Sequence, residues 1–562
     1  MHVEAASPPA RREWIAVSVV WIGLLTGIVI WLSASPPIVL RDELRVLQPW
    51  WLDGCVLIAI LIGICALPRA RMLPRGDAAR VLGLMMLALC LTLFVAPRTS
   101  RIFYDEQIYQ SIGQNMSDLR LAQVCNDGTV ESGRLRCADG EYNKQPYAYP
   151  HLLSLAYRVV GVHEWVAFAV NAIAIALTVA AVCLVTFALF GDRIASLLAG
   201  LLLALMPQQI VWSATAAVEP TASLGAIVAV LAAAWYVTDG SALALGALAV
   251  SAAYAIQFRP ESLLVLPIVA AVAWPRLRLD AQRPRGWWAA VLFVTLTSMH
   301  IAHLYAVRNV NWGTEGARFS LVYVANNFRT NARFYLADGR FPAAFSALAV
   351  CGLFGAYARR ERMAMGTYFL LFFSVDLLFY AGSYDYGADV RYSLMTYPPL
   401  AVLGGLGAAN VSRTLKRLIP GAPAAALIAV ALTFQFLWYA PGVRSLPDQS
   451  WAARADVQFA KDFAAHLPMD SYVFTQDPGM FQVWGVSAGQ MSRAVASPPY
   501  AAWLVRQHSG GVYVHWNFWC NVQDRAQPEL CRKALALGPT TLVAERRDRD
   551  QRLAFYRLSN PP

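Results

Sequence analysis

The feature that most constrains this chain is the recurrence of long apolar runs. A helix needs about 20 mainly apolar residues to cross about 30 Å of hydrocarbon. Such runs mark 14–34, 50–68, 78–96, 163–190, 194–215, 220–237, 241–257, 261–274, 287–307, 342–358, 364–382, 392–410 and 421–440. Thirteen of them in 562 residues predict an α-helical polytopic membrane protein. Pro207, Pro220 and Pro260 interrupt runs that would otherwise divide differently. Only 14% of residues are charged and 57% are hydrophobic, which excludes an ordinary soluble protein, a disordered chain or a fibrous repeat.

The formal net charge of +11 would fit nucleic acid only if basic residues clustered on one face. They lie instead in short loops, a pattern set by lipid and membrane orientation, so no nucleic acid is expected. Short cytoplasmic loops collect Lys and Arg. With the N-terminus inside, the basic loops follow runs 2 (Arg69, Arg71, Arg75, Arg80), 8 (Arg276, Arg278, Arg283, Arg285), 10 (Arg359, Arg360, Arg362) and 12 (Arg413, Lys416, Arg417). All fall on one side, and thirteen runs put the C-terminus on the other. Arg11 and Arg12 resemble the n-region of a signal peptide, but the run is long and its cleavage signal poor, so it is expected to remain as a span. Arginine outnumbers lysine 42 to 4, a bias of GC-rich bacterial genomes, which makes the expected location a bacterial inner membrane and the outer side the periplasm.

The expected organisation is 1–96 with three membrane helices, a first outer segment 97–162, the remaining helices across 163–440 with an outer loop near 308–341, and a small soluble α/β domain, 441–562. In that last domain a helix is expected at 452–466 and strands at 472–475, 512–515, 541–544 and 553–558. It has no nucleophile motif; a role in capping the membrane domain or recognising an acceptor is expected. Of nine cysteines, Cys55, Cys65, Cys90, Cys183 and Cys351 lie in apolar runs, where a thiol acts as a small hydrophobe. The other four form close pairs in the outer segments, and bridges Cys125–Cys137 and Cys520–Cys531 are predicted, worth about 2 to 3 kcal/mol each. Neither pair has metal-ligand spacing.

Candidate chemistry gathers on the outer side. The first outer segment opens with Asp105-Glu106, and Ile108, Ile112, Met116 and Leu119 recur behind them at the spacing of an amphipathic surface helix. The two carboxylates either favour the positive end of that helix, or one serves as general base for an acceptor hydroxyl or amine. The segment ends with Tyr142-Asn-Lys144-Gln-Pro-Tyr-Ala-Tyr-Pro-His151, in which Lys144 is suited to a lipid phosphate and His151 to substrate. Glu219, Arg259, Glu261 and Arg391 sit at outer span ends, each either snorkelling or part of a convergent site. Asp376 lies within a span and is expected to have a structural partner. The sequon at Asn115 falls within the surface helix and carries no weight.

At these residues the chain resembles the GT-C glycosyltransferases, in particular the bacterial group related to protein O-mannosyltransferases and the aminoarabinose transferase of lipid A. The resemblance rests on the Asp105-Glu106 pair, Lys144-x-Pro146 with its aromatics, Glu219, Arg-Pro-Glu at 259–261 and Arg391-Tyr-Ser-Leu-Met-Thr-Tyr-Pro-Pro, and it covers about 97–410. Three spans precede the acidic pair where relatives usually have one, and Lys-Gln-Pro replaces a common Lys-Pro-Pro.

The resemblance implies a polyprenyl-phosphate sugar as donor, a lipid, glycan or protein acceptor, and a single inverting displacement. Asp105 would be the base, supported by Glu106. Lys144, Arg259 and Arg391 would offset charge on the departing phosphate, and Glu219 would position hydroxyls. It leaves a divalent cation open. A membrane-delivered donor also suits an outward site lacking a phosphate-cradling Gly-rich loop. The rival readings are a transporter or flippase of lipid-linked sugars, whose internal repeats the sequence does not display, and a ligase or polymerase using a pyrophosphate-linked glycan.

Overall fold

The computed structural model describes residues 11–66, 75–102, 104–310, 316–355, 357–385, 387–446 and 451–559; Arg69 and Arg71 of the first basic loop lie outside them. Every one of the thirteen apolar runs contains helix. Eight helices are long and apolar enough to span a membrane: Arg11–Ala34, Pro37–Ala66, Gly76–Phe94, Glu164–Phe190, Glu219–Asp239, Pro260–Asp280, Pro284–Ala306 and Ala424–Arg444. A ninth is broken: Arg193–Ala204 and Pro207–Ser213 meet at 58°, because Pro207 has no N–H to continue the first helix and instead starts the second.

The other four runs depart from a plain span. Ala242–Ala255 and Ala343–Leu353 have 14 and 11 residues, about 21 and 17 Å at 1.5 Å per residue, short of a full crossing. Arg359–Leu378 and Tyr397–Leu418 are long enough but carry basic ends. Ala343–Leu353 survives as a short element because it packs directly on backbone. A Cβ at Gly352 would collide with Leu403 O, one at Gly407 with Leu348 O, and one at Gly405 with Ala195 O. Small residues thus let three helices approach closely, as membrane interfaces commonly do. The bundle centres on Glu164–Phe190 and Glu219–Asp239, whose apolar windows are 61% and 67% buried, against 6% for Arg11–Ala34.

Outside the bundle, a seven-stranded sheet runs in the order β2-β1-β4-β3-β5-β7-β6. Strands β1 (Val124–Glu131) and β2 (Arg134–Glu141) come from the first outer segment. The rest come from the C-terminal segment: β3 (Ser471–Thr475), β4 (Ser487–Gln490), β5 (Gly511–Trp516), β6 (Thr540–Asp548) and β7 (Gln551–Leu558). β3 is parallel to β4 and β5; the other pairs are antiparallel. The β1–β2 hairpin turns through Ser132 and Gly133, both with positive φ (51° and 75°), as a tight two-residue hairpin turn requires. Its attachment to β4 is short, Asp127 opposite Gly489 and Gly128 opposite Ala488. Buried Asp127 reinforces it by accepting from Tyr472 Oη and Tyr500 Oη, each at 2.5 Å, and pairing with Arg493 Nε at 2.9 Å. Both expected disulfides, Cys125–Cys137 and Cys520–Cys531, are present. The hairpin of 97–162 and the domain of 441–562 therefore share one sheet.

The helix expected from Asp105 onward spans Asp105–Asp118 and is called here the outer helix. It does not lie open on a bilayer surface: ten of its residues are buried. Ile112 and Met116 pack with Leu40, Leu44 and Leu52. At Gly113 a Cβ would approach Leu153 Cβ to 2.9 Å and Pro150 O to 3.1 Å, so the missing side chain admits the helix Ala148–Val160. On the sheet side, Gln114 Nε2 donates to Gln482 O at 3.2 Å.

Candidate active site

The first turn of the outer helix separates its two carboxylates. Tyr104, the residue before it, is left-handed (φ 57°), and no side chain caps the helix. Asp105, 34% exposed at its side chain, opens into a cavity of about 320 Å³ lined also by Tyr109, Lys144, Arg259, Glu261 and Arg391. Glu106 turns the other way and is wholly buried. Its Oε1 accepts from the N–H of Arg101 at 2.5 Å and Ile102 at 2.9 Å, and its Oε2 from that of Ala216 at 2.7 Å. Glu106 thereby ties the approach to the outer helix to the turn before Glu219. Burial pushes it up to about 7, against the pull of those three N–H groups.

Beside Asp105 lies a network of ion pairs. Arg391, in the 3-10 stretch Gly387–Thr396, sets Nη2 3.6 Å from Asp105 Oδ2, Nη1 3.4 Å from Asp389 Oδ1 and Nε 2.9 Å from Glu219 Oε1. Arg259 is extended before Pro260 (φ −147°), as residues preceding proline are. From there it reaches both Glu219 and Glu261. Glu219, the first residue of Glu219–Asp239, is 1% exposed and holds both arginines. Its Oε2 is buried with no hydrogen-bond partner among the described residues. The Tyr392 ring backs the pair, with the Arg391 and Arg259 guanidinium carbons 4.5 and 5.0 Å from its centroid, a cation–π arrangement.

These neighbours tune the ionisable groups. Burial lifts Asp105 above the usual carboxylate range; Arg391, Arg259 and Lys144 oppose the rise and Glu219 adds to it. Burial pushes Asp389 up to about 7, with Arg391 opposing. Burial lowers Lys144, with Asp105 holding it up. Among the described residues no group of three or more His, Cys, Asp or Glu side chains is arranged to hold a metal ion, and Asp105, Glu219, Glu261 and Asp389 all pair with arginine. A carboxylate open to a cavity beside fixed cations can take a proton from one substrate while charge on another is neutralised.

Of the residues singled out from sequence, Asp105, Lys144, Glu219, Arg259, Glu261 and Arg391 come together. Glu106 acts from behind, on backbone. His151 is not brought to the cavity: it is buried, with Nε2 2.9 Å from Asp53 Oδ1 and Nδ1 3.1 Å from Tyr254 Oη. Asp53 also receives Arg158 at 2.9 Å and Arg120 at 2.5 Å, so His151 belongs to a structural ion cluster. Asp376 has a partner, accepting from Tyr384 Oη at 2.5 Å, and it also lines the cavity. Sequence reading missed Tyr109, Arg318, Tyr380, Asp389 and Tyr392 at the site. Asp389 and Tyr392 carried a signal, standing two residues before and one after Arg391.

Residues 144–303 match the family model described as dolichyl-phosphate-mannose-protein mannosyltransferase. No curated protein sequence matches the chain. Among solved structures the chain is similar to ArnT from Cupriavidus metallidurans bound to undecaprenyl phosphate, at 14% identity and a TM-score of 0.54 over 87% of this chain and 100% of that one. The apo state of ArnT gives 14% identity and 0.54 over 87% and 99%. The oligosaccharyltransferase AglB from Archaeoglobus fulgidus gives 13% and 0.48 over 78% and 69%. Residues 144–303 thus resemble that family, and the chain as a whole shares the polytopic helical fold of ArnT.

Proposed function

We propose that the protein moves one sugar from a polyprenyl-phosphate donor to a lipid, glycan or protein acceptor at the outer face of a bacterial inner membrane. The observation that carries this reading is the cavity in which Asp105 faces Arg391 across 3.6 Å, with Arg259 and Lys144 beside them. The donor class is supported by the family description and by the undecaprenyl phosphate bound to ArnT. The outward orientation is supported by the one-sided basic loops.

The acceptor oxygen attacks the anomeric carbon from the face opposite the phosphate, and a new carbon–oxygen bond forms as the bond to phosphate oxygen breaks. The bonding pair leaves on that oxygen, releasing polyprenyl phosphate, and the configuration inverts. Asp105 takes the acceptor's proton. Arg391, Arg259 and Lys144 neutralise the departing phosphate. Glu219 and Glu261 hold the arginines in place. Glu106 is a positioning residue that anchors the backbone leading into Asp105, and His151 has a structural role.

The test is purified protein in liposomes with a labelled undecaprenyl-phosphate sugar and an envelope extract as acceptor. Asp105→Asn keeps the side chain's shape and removes the base, so turnover is expected to fall by about 10²-fold or more. Near wild-type turnover in this variant would overturn the assignment.

A further inference from the structure

A second, smaller cavity, of about 180 Å³, lies behind the first turn of the outer helix, between the first outer segment and the C-terminal domain. Its walls include Tyr104 and Asn143, the chain neighbours of Asp105 and Lys144, which line the larger cavity. Consecutive Cα atoms are about 3.8 Å apart, so at two places the cavities are separated by adjacent residues of one strand of backbone. The remaining polar lining comes from Asn126 of β1, Glu141 at the end of β2, and Gln476, Asp477 and Gln490 of the C-terminal domain.

The chemistry of this lining is specific. No Lys, Arg or His is among the described lining residues, so a phosphate finds no counter-charge from them. Asp477 is 6% exposed and its Oδ2 is buried with no hydrogen-bond partner among the described residues. Such a group costs stability unless something pairs with it. Burial pushes it up to about 7, and the backbone N–H groups at the start of the following helix oppose the rise. The neighbouring side chains are already held in place. Gln490 Nε2 donates to Asn126 Oδ1 at 3.0 Å, Asn126 Nδ2 to Glu141 Oε2 at 3.4 Å, and Asn517 Nδ2 to Gln476 Oε1 at 2.5 Å. Fixed carboxylates and amides in a cavity of this size suit a ring bearing several hydroxyl groups.

We propose that this cavity is the acceptor subsite and takes one hydroxyl-rich sugar residue, held by Asp477 and Glu141, so that the acceptor is a glycan or glycolipid whose neighbouring hydroxyl reaches Asp105. The inference rests on the reading of Asp105 as the base, and it gives the C-terminal domain the recognition of the acceptor.

Two measurements on the full-length protein test it. The first is binding of the tritium-labelled glycolipid fraction of the host envelope to purified protein, which needs no turnover. The second is transfer from a labelled undecaprenyl-phosphate sugar at varied acceptor extract. Asp477→Asn keeps the side chain's shape and removes its charge, and Glu141→Gln changes a group at the cavity rim. Asp477→Asn is expected to weaken acceptor binding and raise the acceptor KM about tenfold or more, Glu141→Gln by a smaller factor, with donor KM within about twofold in both. A wild-type protein that does not bind the fraction, or variants whose acceptor binding is unchanged, would overturn the proposal. Binding lost in Asp477→Asn with no transfer by the wild type would support the subsite and sink the transferase reading instead.

Discussion

Asp105 and Glu106 show how adjacent like residues acquire different tasks. Successive residues of a helix point about 100° apart, so a pair at its start cannot face the same way. One side chain enters the cavity and the other takes three backbone N–H groups. The acidic pair is plain in the sequence; its division of labour is not, since it depends on the turn at Ala216, about a hundred residues away. A pH dependence follows at this scale. A base must be ionised to act, and burial raises Asp105, so kcat/KM should fall as pH drops through a value above that of an ordinary aspartate. Arg391 lowers that value, so Arg391→Gln should move the acid limb to higher pH. A pH–rate profile whose acid limb stays in the usual carboxylate range, or does not move in the variant, would contradict the assignment. His151 marks the limit of local reading. Its place in an aromatic loop beside Lys144 suggested substrate, yet Asp53, on a helix of the N-terminal region, claims it.

At the scale of elements, hydropathy located helices well because a membrane-facing helix must satisfy its own backbone and present apolar side chains along its whole length. It said less about how each helix runs. The bend between Ala204 and Pro207 is tolerated because neighbouring helices bury Pro207–Ser213 throughout, and the short Ala343–Leu353 because one face packs on its neighbours through Phe345, Ala349 and Gly352. Ala343–Leu353 and Tyr397–Leu418 touch through Gly352 and Gly407, and the latter helix continues the stretch that carries Arg391. Gly407→Leu would drive a side chain into Leu348 O, at a cost of about 1 to 3 kcal/mol or more by overpacking. It should lower the thermal unfolding temperature of the detergent-purified protein and reduce turnover, although residue 407 is far from the cavity. An unchanged unfolding temperature would show that this contact does not hold the bundle.

The whole molecule is organised by a sheet assembled from two segments more than 300 residues apart. In the proposed topology, read from the one-sided basic loops, this sheet lies on the side opposite the short basic loops. Met469 is 94% exposed in the C-terminal domain, and Leu418 is 74% exposed beside Lys416 and Arg417. In intact spheroplasts Met469→Cys should react with a membrane-impermeant maleimide, and Leu418→Cys only after permeabilisation; the reverse pattern would invert the topology. The apolar helices, the two disulfide pairs and most strands of the C-terminal domain were legible in the linear chain, because each rests on hydropathy or spacing within a few tens of residues. The union of β1 with β4, the burial of the outer helix, the separation of Glu106 from Asp105 and the convergence of Glu219, Arg259 and Arg391 were not. Each is settled by contacts between distant segments, whose closure the chain accepts only when packing and buried charge pairing repay the lost entropy, and no local pattern records which partner will do so.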